Sequence, residues 1–349
     1  MGALGAGALG CLGGGDAGLA DARASDAVGE VADATAIEPD VSDAASVAPD
    51  VEDATSVGPD VADVASVAPD VADATSVAPD AVGDGCFDAP SAGHHVVTCG
   101  AISYDVEVPP ACLTSACGLI VDIHGLTMTA ALEDANTLMR ERGRDAGFVV
   151  IQPNAPSFFG VPTWDMSAHA EPIFAFVAEV AERLGTDPDR AYAMGFSQGG
   201  GLTWQLVCAH ADFFAAAAPL AALPGCAFDA AHHPSREVDM LLVHGRKDTV
   251  VAFSQLESQR DAALAYWPVG TPTVVEDDGA HRATRWTTAG GTTFEVWEHD
   301  YTATSFLLNG HCVPGSPQVN ALPLAFGCQQ GGTFEYGALA LAFFQAHRR

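Results

Sequence analysis

A serine stands between glycines at Gly195-Phe196-Ser197-Gln198-Gly199, and Gly200 and Gly201 follow at once. The residues before it, AYAMGFS (191–197), form an apolar run, and helical periodicity follows from about Gln198 to Ala217. A strand, a tight turn and a helix in that order hold a serine in a strained backbone conformation, and larger flanking side chains would collide with neighbouring chain. The helix start then aims free N–H groups and the positive end of its dipole at any negative charge forming beside Ser197. The chemistry this predicts is nucleophilic attack on a carbonyl carbon.

A serine hydroxyl is too weak an acid to attack unaided and needs an imidazole base oriented by a carboxylate. In a G-x-S-x-G frame the expected chain order is Ser, acid, His. The segment MLLVHGRKDTVV supplies Asp248 just past a strand end, where a loop carboxylate can reach the edge of a sheet. Four histidines follow it: His281, His299, His311 and His347. His347 lies among arginines in a terminal helix and reads as surface. His281, in DDGAHR, has acids on one side and Arg on the other, as a solvated loop would, and is the second choice. His299 closes a strand-like run, TTFEVWEH. His311, in NGHCVPG, sits in a loop shaped by Gly and Pro beside Cys312, which a disulfide would pin, and is the favoured base. Main-chain donors for a developing oxyanion are expected from Gln198 and from the loop His124-Gly125-Leu126-Thr127, with His124 a packing and loop-orienting residue. Thr127, and Trp164 in GVPTWDM, are the candidates for lining a substrate pocket.

The elements that must position these residues follow from periodicity. Residues 95–109 alternate as half-buried strands do, whereas GLIVDIHG (118–125), GFVVIQPN (147–154), AYAMGFS (191–197) and MLLVHG (240–245) are continuously apolar. Continuous runs suit a parallel sheet covered on both faces. In EPIFAFVAEVAERLG, Ile173, Phe176, Val177, Val180 and Leu184 fall at helical spacing, and the segment stops at Gly185. A last helix is expected near Phe334 to His347. Strands alternating with helices predict an α/β fold with a mostly parallel, twisted sheet and helices on both faces.

The 349 residues carry 45 Asp+Glu against 14 Lys+Arg, a net charge of −31, which leaves nothing to neutralise a row of phosphates and argues against nucleic acid. The charge is uneven: before residue 86 Arg23 is the lone base among the acids, while the aromatics and all cysteines but Cys11 come later. From Val31 to Asp80 a ten-residue unit recurs (VADATAIEPD through VADATSVAPD), each with Pro at its ninth place. Regular Pro blocks helix and central strand alike, and like charges push the chain open. Residues 31–85 are therefore expected to be a disordered acidic stalk and 86–349 one folded domain, with 1–30 a leader and linker. The opening MGALGAGALGC is similar to the end of a lipoprotein signal, in which Cys11 would carry the lipid and form the chain's one attachment to a membrane. Without Cys11, eight cysteines remain, at 86, 99, 112, 117, 208, 226, 312 and 328. No Cys-x-x-Cys pair is present, so the even number points to disulfides and an oxidising compartment, hence to a secreted or cell-surface protein. Pairing sequence neighbours would close short loops, one choice among on the order of a hundred.

The motifs HG-x-T, GFSQGG, HG-x-x-D-x-x-V and GH-x-x-PG, in this order, resemble the secreted esterases of the α/β-hydrolase superfamily that include polyhydroxybutyrate depolymerases and feruloyl or acetylxylan esterases. The resemblance spans about residues 95–347. It implies the α/β-hydrolase fold, Ser197 as nucleophile, Asp248 as acid, His311 as base, and the backbone N–H groups of Leu126 and Gln198 as oxyanion donors. It implies no metal or organic cofactor, and as substrate a carboxylic ester, for which a polyester or a plant cell-wall polysaccharide ester are the polymeric candidates. Two positions depart from the pattern: Val313 replaces a Trp, and Leu126 a small or polar residue. Other readings are a carboxylesterase or thioesterase, since GFSQGG is shared with such enzymes, and a non-catalytic surface adhesin on a hydrolase scaffold. Turnover of a simple ester separates enzyme from adhesin.

Overall fold

The computed structural model describes residues 85–88, 91–318, 326–329 and 332–349. The leader, Cys11 and the decapeptide repeats lie outside the described residues. In chain order the strands are β1 (Gly93–Cys99), β2 (Ile102–Val108), β3 (Gly118–Ile123), β4 (Phe148–Asn154), β5 (Ser157–Phe158), β6 (Val161–Pro162), β7 (Ala191–Phe196), β8 (Ala216–Leu220), β9 (Asp239–Gly245), β10 (Thr273–Asp277), β11 (His281–Thr287) and β12 (Thr293–His299). The helices are α1 (Ala130–Thr137), α2 (Met139–Asp145), α3 (Ala170–Leu184), α4 (Gln198–His210), α5 (Phe253–Tyr266) and α6 (Tyr336–Ala346).

Ten strands make one sheet in the order β1-β2-β4-β3-β7-β8-β9-β12-β11-β10. The six from β4 to β12 run parallel, and the pairs at either edge are antiparallel. Burial explains the apolar runs. In β3, Leu119, Val121 and Ile123 pack on one side with Ile173, Phe176 and Val177 of α3. Ile120 packs on the other with Met139 of α2 and Phe343 and Phe344 of α6. A strand covered on both faces can spare neither side for polar residues.

Helical periodicity after Ser197 suggests a helix to about Ala217, but α4 ends at His210 and β8 begins at Ala216. Alanine is the strongest helix former, yet Ala216, Ala217 and Ala218 are fully buried between β7 and β9. Only small side chains fit under helices packed on both faces there, so tertiary packing overrides local propensity. Four disulfides join Cys86–Cys99, Cys112–Cys117, Cys208–Cys226 and Cys312–Cys328. No helix among the described residues is long and apolar enough to cross a membrane.

Two acids are sealed beneath α1. Asp122 of β3 accepts from the Thr137 hydroxyl (3.0 Å) and the Gln152 amide (2.8 Å) through Oδ2. Its Oδ1 and both oxygens of the adjoining Glu133 have no hydrogen-bond partner among the described residues. Burial raises Asp122 to about 7 despite its two donors. Burial, with the charge of Asp122 beside it, raises Glu133 well above the usual carboxylate range. In the unfolded chain both acids ionise near pH 4, whereas in the folded chain Asp122 keeps its proton to about pH 7 and Glu133 is raised in the same direction. The folded state binds more protons in that window, so stability falls as pH rises through it. Asp122→Asn keeps an acceptor for Thr137 and Gln152 and offers an amide to Glu133. It is expected to be more stable than wild type at pH 8 by on the order of 4 kcal/mol, and nearly equal to it at pH 4. Urea unfolding at the two pH values checks this, and a variant weakened equally at both contradicts it.

Candidate active site

The C-terminal ends of β3, β7 and β9 open on the same edge of the sheet, where parallel α/β sheets place their ligands. Ser197 joins β7 to α4 with φ 56° and ψ −115°, a conformation that costs a non-glycine residue about 1–3 kcal/mol. It is held there from both sides: its N–H donates to the Leu220 carbonyl (2.9 Å), and its own carbonyl accepts from the N–H of Gly201 (3.1 Å). The turn is tight enough that a Cβ on Gly199 would stand 1.9 Å from the carbonyl oxygen of Ile123 in β3.

Asp248 follows β9, and its turn is tied to the loop that carries His311. The Gly310 N–H donates to the Lys247 carbonyl (3.1 Å), and a Cβ on Gly310 would meet the Asp248 nitrogen at 2.5 Å, so only glycine lets the two loops touch. The Cys312–Cys328 disulfide begins at the residue after His311. Across this contact His311 Nδ1 lies 2.7 Å from Asp248 Oδ2, and His311 Nε2 lies 3.0 Å from Ser197 Oγ. All three residues are buried. Oδ1 of Asp248 accepts from the N–H groups of Val250 and Val251, both at 2.8 Å. Burial alone would push the Asp248 carboxyl up, but the hydrogen bonds from His244 and His311 hold it down to about 2, so it is ionised at neutral pH. With Oδ2 as acceptor, Nδ1 of His311 carries the proton, and Nε2 is free to accept from the serine hydroxyl.

In sequence the chain is similar to a bifunctional acetylxylan esterase/xylanase of Neocallimastix patriciarum, 28% identical over 156 residues, which are 44% of this chain and 22% of that protein. It is also similar to feruloyl esterase B of Piromyces equi, 37% identical over 87 residues, 23% of this chain and 15% of that protein. The chain therefore spans less than a quarter of the length of either relative. No protein-family model matches it. Among solved structures it is similar to acetyl xylan esterase from Aspergillus awamori, with a TM-score of 0.49 and 18% identity over 60% of this chain and 92% of that one. The strand order, with a serine turn between β7 and α4, decides the architecture. The chain has the α/β-hydrolase fold.

In this hydrolase fold the loop after β3 comes close to Ser197: a Cβ on Gly125 would stand 3.2 Å from the Ser197 Cβ. The Leu126 N–H has no acceptor among the described residues, while the next N–H, of Thr127 (φ 67°), donates to the Pro162 carbonyl (2.9 Å). The N–H of Gln198 is the first of α4 and has no partner within the helix. Leu126, Thr127 and Gln198 line a cavity of about 390 Å³ together with Ser197 and His311, walled by aliphatic side chains such as Leu223 and Leu308. A larger recess of about 610 Å³ beside α4, reaching Glu171 and His233, contains none of these groups.

His124 is fully buried; its Nε2 accepts from the Ala155 N–H (3.0 Å), so Nδ1 carries the proton and donates to the Gly125 carbonyl (2.7 Å). Burial lowers it to about 4, so it is neutral and orients the loop. Trp164 does not line the cavity. Its indole N–H donates to the His124 carbonyl (2.8 Å), which pulls the ring behind the loop, where it is buried.

The remaining histidines go elsewhere. His281 is not in a solvated loop: it opens β11 fully buried, its ring stacked on Trp297, with Nε2 3.0 Å from Glu276 and Nδ1 2.8 Å from the Thr333 hydroxyl. The Asp/Gly turn before it folds the chain back so that aromatic residues cover the ring. His299 is the last residue of β12, where burial lowers it to about 3 and neither ring nitrogen has a hydrogen-bond partner among the described residues. His347 follows α6 and bonds through Nδ1 to the Phe343 carbonyl (2.7 Å). Reading the sequence misses His244, whose Nε2 lies 3.3 Å from Asp248 Oδ2. Its one signal is its place in HGRKD, where the His-Gly pair draws notice only as a marker for the acid.

Proposed function

We propose that this protein is a serine esterase that hydrolyses carboxylic esters through an acyl-enzyme. The observation that carries the reading is the continuous line of hydrogen-bonding distances from Ser197 through His311 to Asp248, ending in a cavity. As the Ser197 oxygen attacks the ester carbonyl carbon, its proton passes to Nε2 of His311, and Asp248 stabilises the imidazolium. The carbonyl oxygen becomes an oxyanion facing the N–H groups of Leu126 and Gln198. Collapse breaks the C–O bond, the alcohol leaves with the imidazolium proton, and the acyl group stays on Ser197. Water then attacks with His311 again as base, releasing the carboxylic acid and restoring the serine. Each oxyanion donor contributes on the order of 3 kcal/mol.

The substrate reading rests on the walls of the cavity and on its rim. Leu223, Val251, Leu308 and Phe326 offer an acyl group aliphatic and aromatic surface. Around the mouth, Leu126 and Val250 are exposed. Phe158 and Phe159 (92% exposed) stand on the β5–β6 hairpin, whose Pro162 holds Thr127, and Phe306 (86%) with Leu307 stands on the loop before Leu308. Exposed apolar residues on loops joined to the site suit a binding surface for an apolar substrate. They favour esters presented on an apolar polymer, as in a polyester, over acetyl or feruloyl groups on a hydrated polysaccharide. Four disulfides support an exported protein, in which the folded region is carried on the acidic repeats and held at the surface by Cys11 if that residue is lipidated.

Treating the full chain with diethyl p-nitrophenyl phosphate tests the reading. One equivalent of p-nitrophenol is expected, with the diethylphosphoryl group on the peptide containing Ser197 and loss of p-nitrophenyl butyrate turnover. Hydroxybutyrate oligomers are expected to be cleaved faster than acetylxylan or feruloylated sugar. Label on another residue, or a wild-type protein inert to both reagents, would overturn the esterase assignment.

A further inference from the structure

We propose that His244 is a positioning residue of this site, holding the 248–251 turn so that the Asp248 carboxylate meets His311. The inference rests on the serine-esterase reading. His244 is the penultimate residue of β9, four positions before Asp248, and is buried, 1% exposed. Its Nε2 lies 2.9 Å from the Val251 carbonyl oxygen and 3.3 Å from Asp248 Oδ2. A carbonyl accepts only, so Nε2 must carry the proton, and that one N–H is shared between the two oxygens. The N–H of Val251 in turn donates to Asp248 Oδ1.

These contacts close a ring. His244 grips the far end of the turn by its carbonyl, Val251 grips the carboxylate by its amide, and the imidazole meets the other carboxylate oxygen. Rotation of the Asp248 side chain away from His311 would break bonds at both oxygens at once. Without the His244 N–H, the Val251 carbonyl would be left buried and unpaired, and Oδ2 would keep His311 as its one imidazole donor. A turn freed in this way lets the carboxylate drift, and small misplacements of an orienting group lower rate with little change in binding. His244 does not itself line the cavity, so it acts through the 248–251 turn it holds and not by touching substrate.

Three full-chain variants test the inference. His244→Phe keeps a ring without a donor, His244→Met deletes the donor with a more adaptable side chain where Phe overpacks, and His244→Gln keeps an N–H at the end of the side chain. Phe and Met are expected to lower kcat on p-nitrophenyl butyrate roughly tenfold to thirtyfold with KM within about twofold, and Gln to recover most of the loss. The low-field proton resonance of the His311–Asp248 hydrogen bond, read by NMR without substrate, is expected to broaden or shift in Phe and Met and to persist in Gln. An unchanged resonance in His244→Met, or a Gln variant as altered as Met, overturns the positioning role. A resonance that responds as expected in a protein with no turnover upholds the role of His244 and sinks the esterase reading alone.

Discussion

Replacing Ser197 with alanine is expected to lower kcat toward p-nitrophenyl butyrate by roughly 10⁵- to 10⁶-fold while leaving KM within a few-fold. The reasoning is geometric. Ser197 Oγ is 3.0 Å from His311 Nε2, and His311 reaches Asp248 at 2.7 Å, so in the proposed mechanism the three act as one proton path. Removing any member of such a unit removes most of its effect, because the others have nothing left to act upon. His311→Ala is therefore expected to cost about as much as Ser197→Ala, and the double variant no more than either. Asp248→Asn is expected to cost about 10⁴-fold, because an amide at Oδ2 no longer selects the tautomer with its proton on Nδ1. His281→Ala is expected to retain turnover in whatever fraction folds, since its ring is engaged by Glu276 and Thr333 rather than by Ser197. Initial rates on the purified variants check all of these. Activity that survives Ser197→Ala, or falls further when the two changes are combined, would refute the shared path.

Gly199→Ala is expected to be the most damaging glycine-to-alanine change among the described residues. The added carbon would stand 1.9 Å from the Ile123 carbonyl oxygen and 2.5 Å from its carbon. Both are backbone atoms of a central strand buried on both faces, and no side-chain rotation relieves the overlap. Either α4 lifts away from β7 or the end of β3 moves, and β3 carries the His124–Leu126 loop. The cost is expected to exceed about 3 kcal/mol. Any protein that still folds is expected to lose on the order of a hundredfold in kcat as the Leu126 and Gln198 N–H groups separate. Gly270→Ala is the control: its added carbon meets nothing nearer than the Thr287 carbonyl at 3.6 Å, and stability should change by less than about 0.5 kcal/mol. Urea unfolding of both variants provides the measurement, and equal midpoints would contradict the packing argument.

The acids of β3 and α1 show where reading a sequence fails. Asp122 is the one acid in the run GLIVDIHG and draws no notice in the sequence, yet it is wholly buried. Only Thr137, Gln152 and Glu133, brought over it by α1 and β4, show what surrounds it. His281 misleads as well. Its charged neighbours suggest solvent, but Trp297 and Phe334, later in the chain, cover it. Side-chain environment is decided by residues distant in sequence, and no local pattern reports them.

What the sequence determined by itself was local. The apolar runs specified β3, β4, β7 and β9, because a strand buried on two faces needs an apolar side chain at nearly every position. The glycines around Ser197 specified its turn, because one Cβ there would enter the neighbouring strand. The sequence favours His311 among four histidines, but only tertiary structure brings it to Ser197, 114 residues away, and to Asp248, 63 away. Tertiary structure also decided that Ala216–Leu220 is a strand, that Trp164 turns away from the cavity, and that His244 stands behind the acid. The physical reason is common to all four. Helix and turn preferences act within a few residues, whereas the meeting of loops follows from the order in which strands pack, and that order is set by burying the whole sheet at once.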